Sequence, residues 1–132
     1  MRKRQVSEAV LDSSVILAIL KDEAFDAIVY DVVDGGVMSA VNLVEVYSKL
    51  SDLKLAVTPR VDALIGTLSR IEPFTESQAR IAADLRPITR HAGLSLGDRA
   101  CLALAIEIGA EVYTAEGQWA RVDPGCKVHL IR

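Results

Sequence analysis

The chain has 132 residues, 51% of them apolar, enough for one domain with a real core but not for two. Fifteen basic against eighteen acidic residues leave a formal charge of −3. No global basic field therefore advertises nucleic-acid binding, and a polyanionic substrate would need a local basic patch or bridging cations. Uninterrupted apolar runs such as residues 15–20 fall far short of the ~20 that cross a bilayer, and no apolar signal region follows the basic Met1-Arg2-Lys3-Arg4.

Ala9-Val10-Leu11 is a short apolar run that stops at Asp12 and predicts a buried strand. Two serines follow, then residues 15–20, apolar around the whole circumference of the buried helix they predict. Phe25, Ile28, Val29, Val32 and Val33 fall at helical spacing, so residues 25–33 are expected to form a helix ended by Gly35-Gly36. Residues 37–40 are short enough for a second strand. Helical spacing resumes over residues 41–53, with Leu43, Val46, Tyr47, Leu50 and Leu53 on one stripe. Thr58-Pro59 reads as an N-cap followed by proline at the first helical position, opening a helix with Val61, Leu64, Ile65 and Leu68 on its apolar face.

Residues 71–74 suggest a third strand, weakened by Pro73. Thr75 with Gln78 fits a capping box, and the helix behind it is expected to kink or restart near Pro87 and to end at Gly93. Ser95 with Asp98 fits a second box, with the shorter Asp in the Glu/Gln place, opening the helix Leu96–Ile108 before Gly109. Glu111–Thr114 and residues 127–131 are the remaining strands, with no repeat or linker between elements. Strands alternating with helices imply βαβ units, a mainly parallel central sheet and a three-layer α/β/α architecture. The expectation is a single domain over residues 1–132, with residues 1–7 a frayed or strand-leading basic terminus, in the cytoplasm.

Parallel strands joined by helical crossovers place their carboxyl ends on one side of the sheet, where ligands bind in such folds. Asp12 follows the first strand directly, and Glu45 sits about a turn into the helix after the second. Asp98 lies in the first turn of its helix, and Glu116 comes two residues after Thr114. Singly, Asp12 reads as a helix cap, Asp98 as a capping-box carboxylate and Glu116 as a solvated loop acid. Glu45, between Val44 and Val46 in a mostly apolar helix, is costly to bury without a partner. Together they predict one acidic cluster.

Clustered carboxylates raise one another's pKa, a cost that a divalent cation reverses. Hard oxygen ligands suit Mg²⁺ or Mn²⁺ rather than zinc, and there is no HExxH and no Cys/His grouping. His91 and His129 read as structural or surface residues, and Cys101 and Cys126 as reduced thiols without ligand spacing. The chemistry this inventory supports is metal-assisted hydrolysis, with a phosphodiester as the natural target.

The stretches AVLDSSVILAIL, SAVNLVEV, LSLGDRACLALA and VYTAEGQW resemble, in this order, the four acidic motifs of PIN domains. The nearest likeness is to the VapC-type toxins of bacterial type II toxin–antitoxin pairs, and it runs from about Val10 to the C-terminus. The resemblance implies a PIN-like fold and a Mg²⁺- or Mn²⁺-dependent endoribonuclease that inhibits growth by cutting RNA. It also implies a small antitoxin partner and self-association as a homodimer, with a higher assembly on the antitoxin.

By motif position the family's invariant acids fall at Asp12, Glu45 and Asp98. The fourth falls at Glu116, where Asp is commoner; the extra methylene leaves open whether this carboxylate reaches a metal directly or through water. Ser14, Asn42 and Thr114 fall where the family has small polar residues. Asn42, three residues before Glu45 on the same helix face, is placed to orient that carboxylate or touch the scissile phosphate; capping or local backbone bonding is the alternative for all three. Trp119 reads as a packing anchor rather than a base-stacking platform. Arg86, Arg90 and Arg99 form the candidate phosphate-contacting strip, against the plainer reading of a solvated helix face. Apolar surplus in residues 25–33 and 41–68 suggests a groove for a partner helix. Two rivals remain in view. A phosphatase of the haloacid-dehalogenase type would need a second acid where Ser14 stands, and a PIN-like module would bind RNA or protein without cleaving.

Overall fold

The computed structural model describes residues 8–54 and 58–132; the basic segment expected to fray lies outside them. The chain opens with β1 (Ala9–Leu11), α1 (Ser13–Leu20), α2 (Val29–Val33), β2 (Val37–Ser39) and α3 (Ala40–Asp52). It continues through α4 (Pro59–Gly66), β3 (Arg70–Glu72), α5 (Glu76–Thr89) and a 3-10 turn at Arg90–Ala92. Last come α6 (Leu96–Ile108), β4 (Glu111–Thr114), a second 3-10 turn at Gly117–Arg121 and β5 (Val128–Leu130). All four strand pairings are parallel and the sheet order is β3-β2-β1-β4-β5.

The period-2 alternation of the strands divides the core into two layers. Val10, paired with both Val37 and Val112, shares one buried cluster with Leu85 of α5 and Leu102 and Leu104 of α6. Leu11 and Met38 point the other way, into a cluster with Ile16 and Ile19 of α1, Val29 of α2, Val46 of α3 and Val61 of α4. Helices on both faces of an all-parallel sheet give the expected three-layer α/β/α fold. Among the described residues no helix is long and apolar enough to cross a membrane.

Local departures have local causes. The helix expected over residues 25–33 shrinks to α2, because Asp26 Oδ1 accepts from Ile28 N at 3.1 Å and folds the preceding residues into a turn. β3 stops at Glu72, one residue before Pro73, which has no N–H to donate to a ladder. The Thr75 hydroxyl accepts from Gln78 N at 3.2 Å, but the Gln78 side chain does not reciprocate, and its buried Oε1 is without a partner, so only half of that box forms. α5 does not restart at Pro87. It runs on through Pro87 to Thr89, and the Arg90–Ala92 turn then ends at Gly93 with φ +70°. The Ser95–Asp98 box is complete despite the shorter Asp.

Candidate active site

β1 lies centrally, with β2 and β3 on one side and β4 and β5 on the other, so the chain reverses its direction of travel across the sheet at β1–β4. Open α/β sheets bind ligands beyond the carboxyl ends of the strands at such a switch point. Asp12 stands there, 2% exposed, with its backbone N donating to Tyr113 O at 3.0 Å.

Two hydroxyls serve one oxygen of this carboxylate. Ser14 Oγ donates to Asp12 Oδ2 at 2.6 Å, and Thr114 Oγ1 donates to the same atom at 3.1 Å across the switch point. Ser14 Oγ also accepts from Ala115 N at 2.9 Å, and Thr114 Oγ1 accepts from Glu116 N at 3.0 Å. The same pair of hydroxyls thus clamps Asp12 and the start of the loop that carries Glu116. Asp12 Oδ1 is buried with no hydrogen-bond partner. Burial pushes the Asp12 carboxyl up to about 6, and the Asp98 and Glu45 charges push the same way, while the Ser14 and Thr114 hydroxyls pull it partly back.

The second wall of the site is the approach of α6 to α3. Buried Asn42 donates through Nδ2 to Glu45 Oε1 at 2.8 Å and to the carbonyl of Gly97 at 3.0 Å, tying α3 to the first turn of α6. A Cβ on Gly97 would come within 3.0 Å of both carboxylate oxygens and Cδ of Glu45. Glycine here leaves the space that the Glu45 carboxylate fills, and it sets that carboxylate against the backbone that leads into Asp98. Asp98 is half-buried, and its Oδ2 accepts from Ser95 N at 2.8 Å. Burial raises its pKa and the charge of Glu116 adds to the rise, while the Ser95 contacts and Arg99 oppose it. Glu116 is exposed at the mouth.

Asp12, Glu45, Asp98 and Glu116 thus arise at one edge of the sheet from four separate segments, with Ser14, Asn42 and Thr114 fixing their geometry. Among the described residues no three acidic, histidine or cysteine side chains converge into a ready-made cage. The donors at this edge are all carboxylate oxygens, which suit a hard divalent cation rather than zinc. Mg²⁺ is commonly held by one or two carboxylates, with water and substrate phosphate completing its shell. The orphaned Asp12 Oδ1, a buried anionic oxygen without a donor, is the atom that a cation would satisfy.

One expected site residue belongs elsewhere. Arg99 is 8% exposed and donates from Nη1 to Ala82 O at 2.9 Å, locking α6 to α5, so it does not share the exposed surface of Arg86 and Arg90. The unbroken apolar run behind it, Ala-Cys-Leu-Ala-Leu-Ala, marks a helix buried on all sides and was the sequence signal for this. Gly97 was missed, although a glycine in the first turn of a helix is itself conspicuous. Trp119 is fully buried, as a packing anchor should be. His91 meets the Arg121 carbonyl at 3.0 Å and His129 stacks on Tyr113 with ring centroids 4.6 Å apart, both in structural roles. Cys101 lies buried under the acids, its thiol pushed well up by burial, which makes it a poor nucleophile.

A family model described as PIN domain matches residues 9–124. No curated protein sequence matches the chain at a significant level. Among solved structures it is similar to DNA-bound VapBC from Salmonella typhimurium, with TM-score 0.68 at 16% identity over 94% of this chain and 98% of that one. FitAcB from Neisseria gonorrhoeae gives TM-score 0.65 at 20% identity over 91% and 95%. VapC20 of Mycobacterium tuberculosis, described as a toxin that cleaves the sarcin–ricin loop, gives 0.63 at 17% identity over 86% and 93%. At these identities the likeness is one of fold.

Proposed function

This chain belongs to the PIN-domain family, and from that membership we propose that it is a Mg²⁺- or Mn²⁺-dependent endoribonuclease acting in the cytoplasm as the growth-inhibiting toxin of a toxin–antitoxin pair. The observation that carries the reading is the buried Asp12 carboxylate with its unpartnered Oδ1 at the switch point, coupled electrostatically to Asp98 and Glu45. Asp12, Glu45 and Asp98 would be the principal ligands, with Glu116 reaching the ion directly or through water. A cation held by these carboxylates would make a water easier to deprotonate and would offset the negative charge that develops on the phosphate. Ser14 and Thr114 direct the free oxygen of Asp12 into the site by occupying the other one. Asn42 holds the Glu45 carboxylate in place.

The toxin role draws support from the structures of similar fold, one described as a toxin–antitoxin complex and another as a member of the VapBC family of toxin–antitoxin systems. An antitoxin and a second copy of the chain would find apolar ground at Ile28 and Tyr30, 54% and 59% exposed, and at Val44, 61% exposed. The test is induced expression of the parent and of Asp98→Asn, with growth followed and total RNA mapped for new 5′ ends. Growth arrest with discrete cuts, both lost in a folded Asp98→Asn, is the expected result. Arrest that persists in the variant would show that toxicity does not use this site. RNA or protein binding without cuts would instead make the chain a non-cleaving PIN module.

A further inference from the structure

The protein is net acidic, and among the described residues four arginines outside the core are neutralised locally. Arg60 pairs with Asp22, Arg70 with Glu8 and Glu72, Arg80 with Glu76, and Arg132 with Glu23. Arg99 is buried. Three arginines remain exposed and without a carboxylate partner among the described residues, namely Arg86, Arg90 and Arg121. The nearest acids in sequence, Asp84 and Asp123, pair with none of them.

The fold gathers these three at one end of the molecule. Arg86 is one helical turn before Arg90, which opens the first 3-10 turn, and Arg121 closes the second. His91 Nε2 donates to the Arg121 carbonyl at 3.0 Å, joining the two turns. Both turns abut the carboxylate edge along the chain. The first ends three residues before Ser95, the cap of the helix bearing Asp98, and the second begins immediately after Glu116. At a 3-10 rise of 2.0 Å per residue the second turn is only about 10 Å long.

We infer that Arg86, Arg90 and Arg121 form the surface that grips RNA phosphates on the α6–β4 flank of the acidic site. Guanidinium groups left unpaired in a net acidic protein are available for bidentate phosphate contacts. Their place beside Asp98 and Glu116 offsets the repulsion between a polyanion and four carboxylates, and holds the strand to one side of them. This inference rests on the nuclease reading and adds Arg121 to the surface while removing Arg99 from it.

The experiment is fluorescence anisotropy of a labelled mixed-sequence single-stranded RNA, kept in EDTA so that it is not cut, against the full chain over a salt series. Each phosphate contact on a single strand contributes about 0.7 to the slope of log affinity against log salt. Replacing Arg86, Arg90 and Arg121 together by Gln should flatten the slope by about 2 and weaken low-salt binding ~10-fold or more. The charge-matched triple of Arg60→Gln, Arg80→Gln and Arg132→Gln should leave the slope as it is, with circular dichroism confirming that both triples fold. Equal losses in the two triples would mean a diffuse field and overturn the inference. So would an unchanged slope in the first triple while the parent binds RNA and, without EDTA, cuts it. In that case the nuclease reading stands and these arginines serve another partner, such as an acidic protein surface. A parent that neither binds nor cuts takes the nuclease reading down with the inference.

Discussion

Asp12 concentrates the cost of the site in a single side chain. Its folded-state pKa of about 6 lies above the 3.8 of an unburied aspartate, so the folded protein holds this proton more tightly than the unfolded chain does. The contribution to stability is therefore full below about pH 4, is lost as pH rises toward 6, and leaves a constant penalty above that. A shift from 3.8 to about 6 corresponds to about 3 kcal/mol. Metal-free Asp12→Asn should accordingly be more stable than the parent by up to about 3 kcal/mol near neutral pH, with the gain vanishing near pH 4 and cleavage abolished. Chemical unfolding in chelator at both pH values checks this, and equal stability throughout would refute it. Added Mg²⁺ should raise the parent's Tm more above pH 6 than below, because cation and proton compete for one carboxylate.

Between elements, the α3–α6 contact decides where Glu45 sits. Gly97→Ala gains about 1 kcal/mol of helix propensity but pushes the Glu45 carboxylate off its Asn42 hydrogen bond, at a cost of about 1.5–3 kcal/mol. The expected outcome is a modest fall in Tm and at least a tenfold loss in kcat/KM, read by steady-state cleavage assay. Adding Glu45→Ala to Gly97→Ala should recover the Tm and not the activity, since it relieves the clash and removes a ligand. Full activity in Gly97→Ala would show that the contact does not position Glu45. The capping box that fixes Asp98 allows a parallel test: Ser95→Ala removes the acceptor of Asp98 N and should cost about 1 kcal/mol.

Across the whole molecule, Trp119 anchors the segment between β4 and β5 that carries Glu116 at one end and Arg121 at the other. It is fully buried against the α6 layer together with Leu102 and Val112. Trp119→Ala should cost about 3–5 kcal/mol in thermal or denaturant unfolding, with Trp119→Phe restoring much of it. A stacking platform would behave in the opposite way, losing RNA affinity at unchanged stability.

The amino-acid sequence by itself determined the element order, the parallel three-layer architecture and the placing of Asp12, Glu45, Asp98 and Glu116 on segments that end or begin at one edge. Period-2 and helical apolar spacing are local, and right-handed parallel crossovers leave little freedom in where strand ends point. It also carried the complete capping box at Ser95, because that motif closes within four residues. What depended on contacts between distant segments was decided only by the tertiary structure. Arg99 is charged in sequence yet serves as a clamp on Ala82, seventeen positions away. Gly97 looks like a weak helical residue until Glu45 lies against it. The shortening of the helix over residues 25–33 hangs on Asp26, whose side chain competes for Ile28 N while its own N–H donates to Ile131 O at 2.8 Å, near the end of the chain. Periodicity reports which face of an element is apolar, whereas only the packed chain reports what that face, or a charge upon it, will meet.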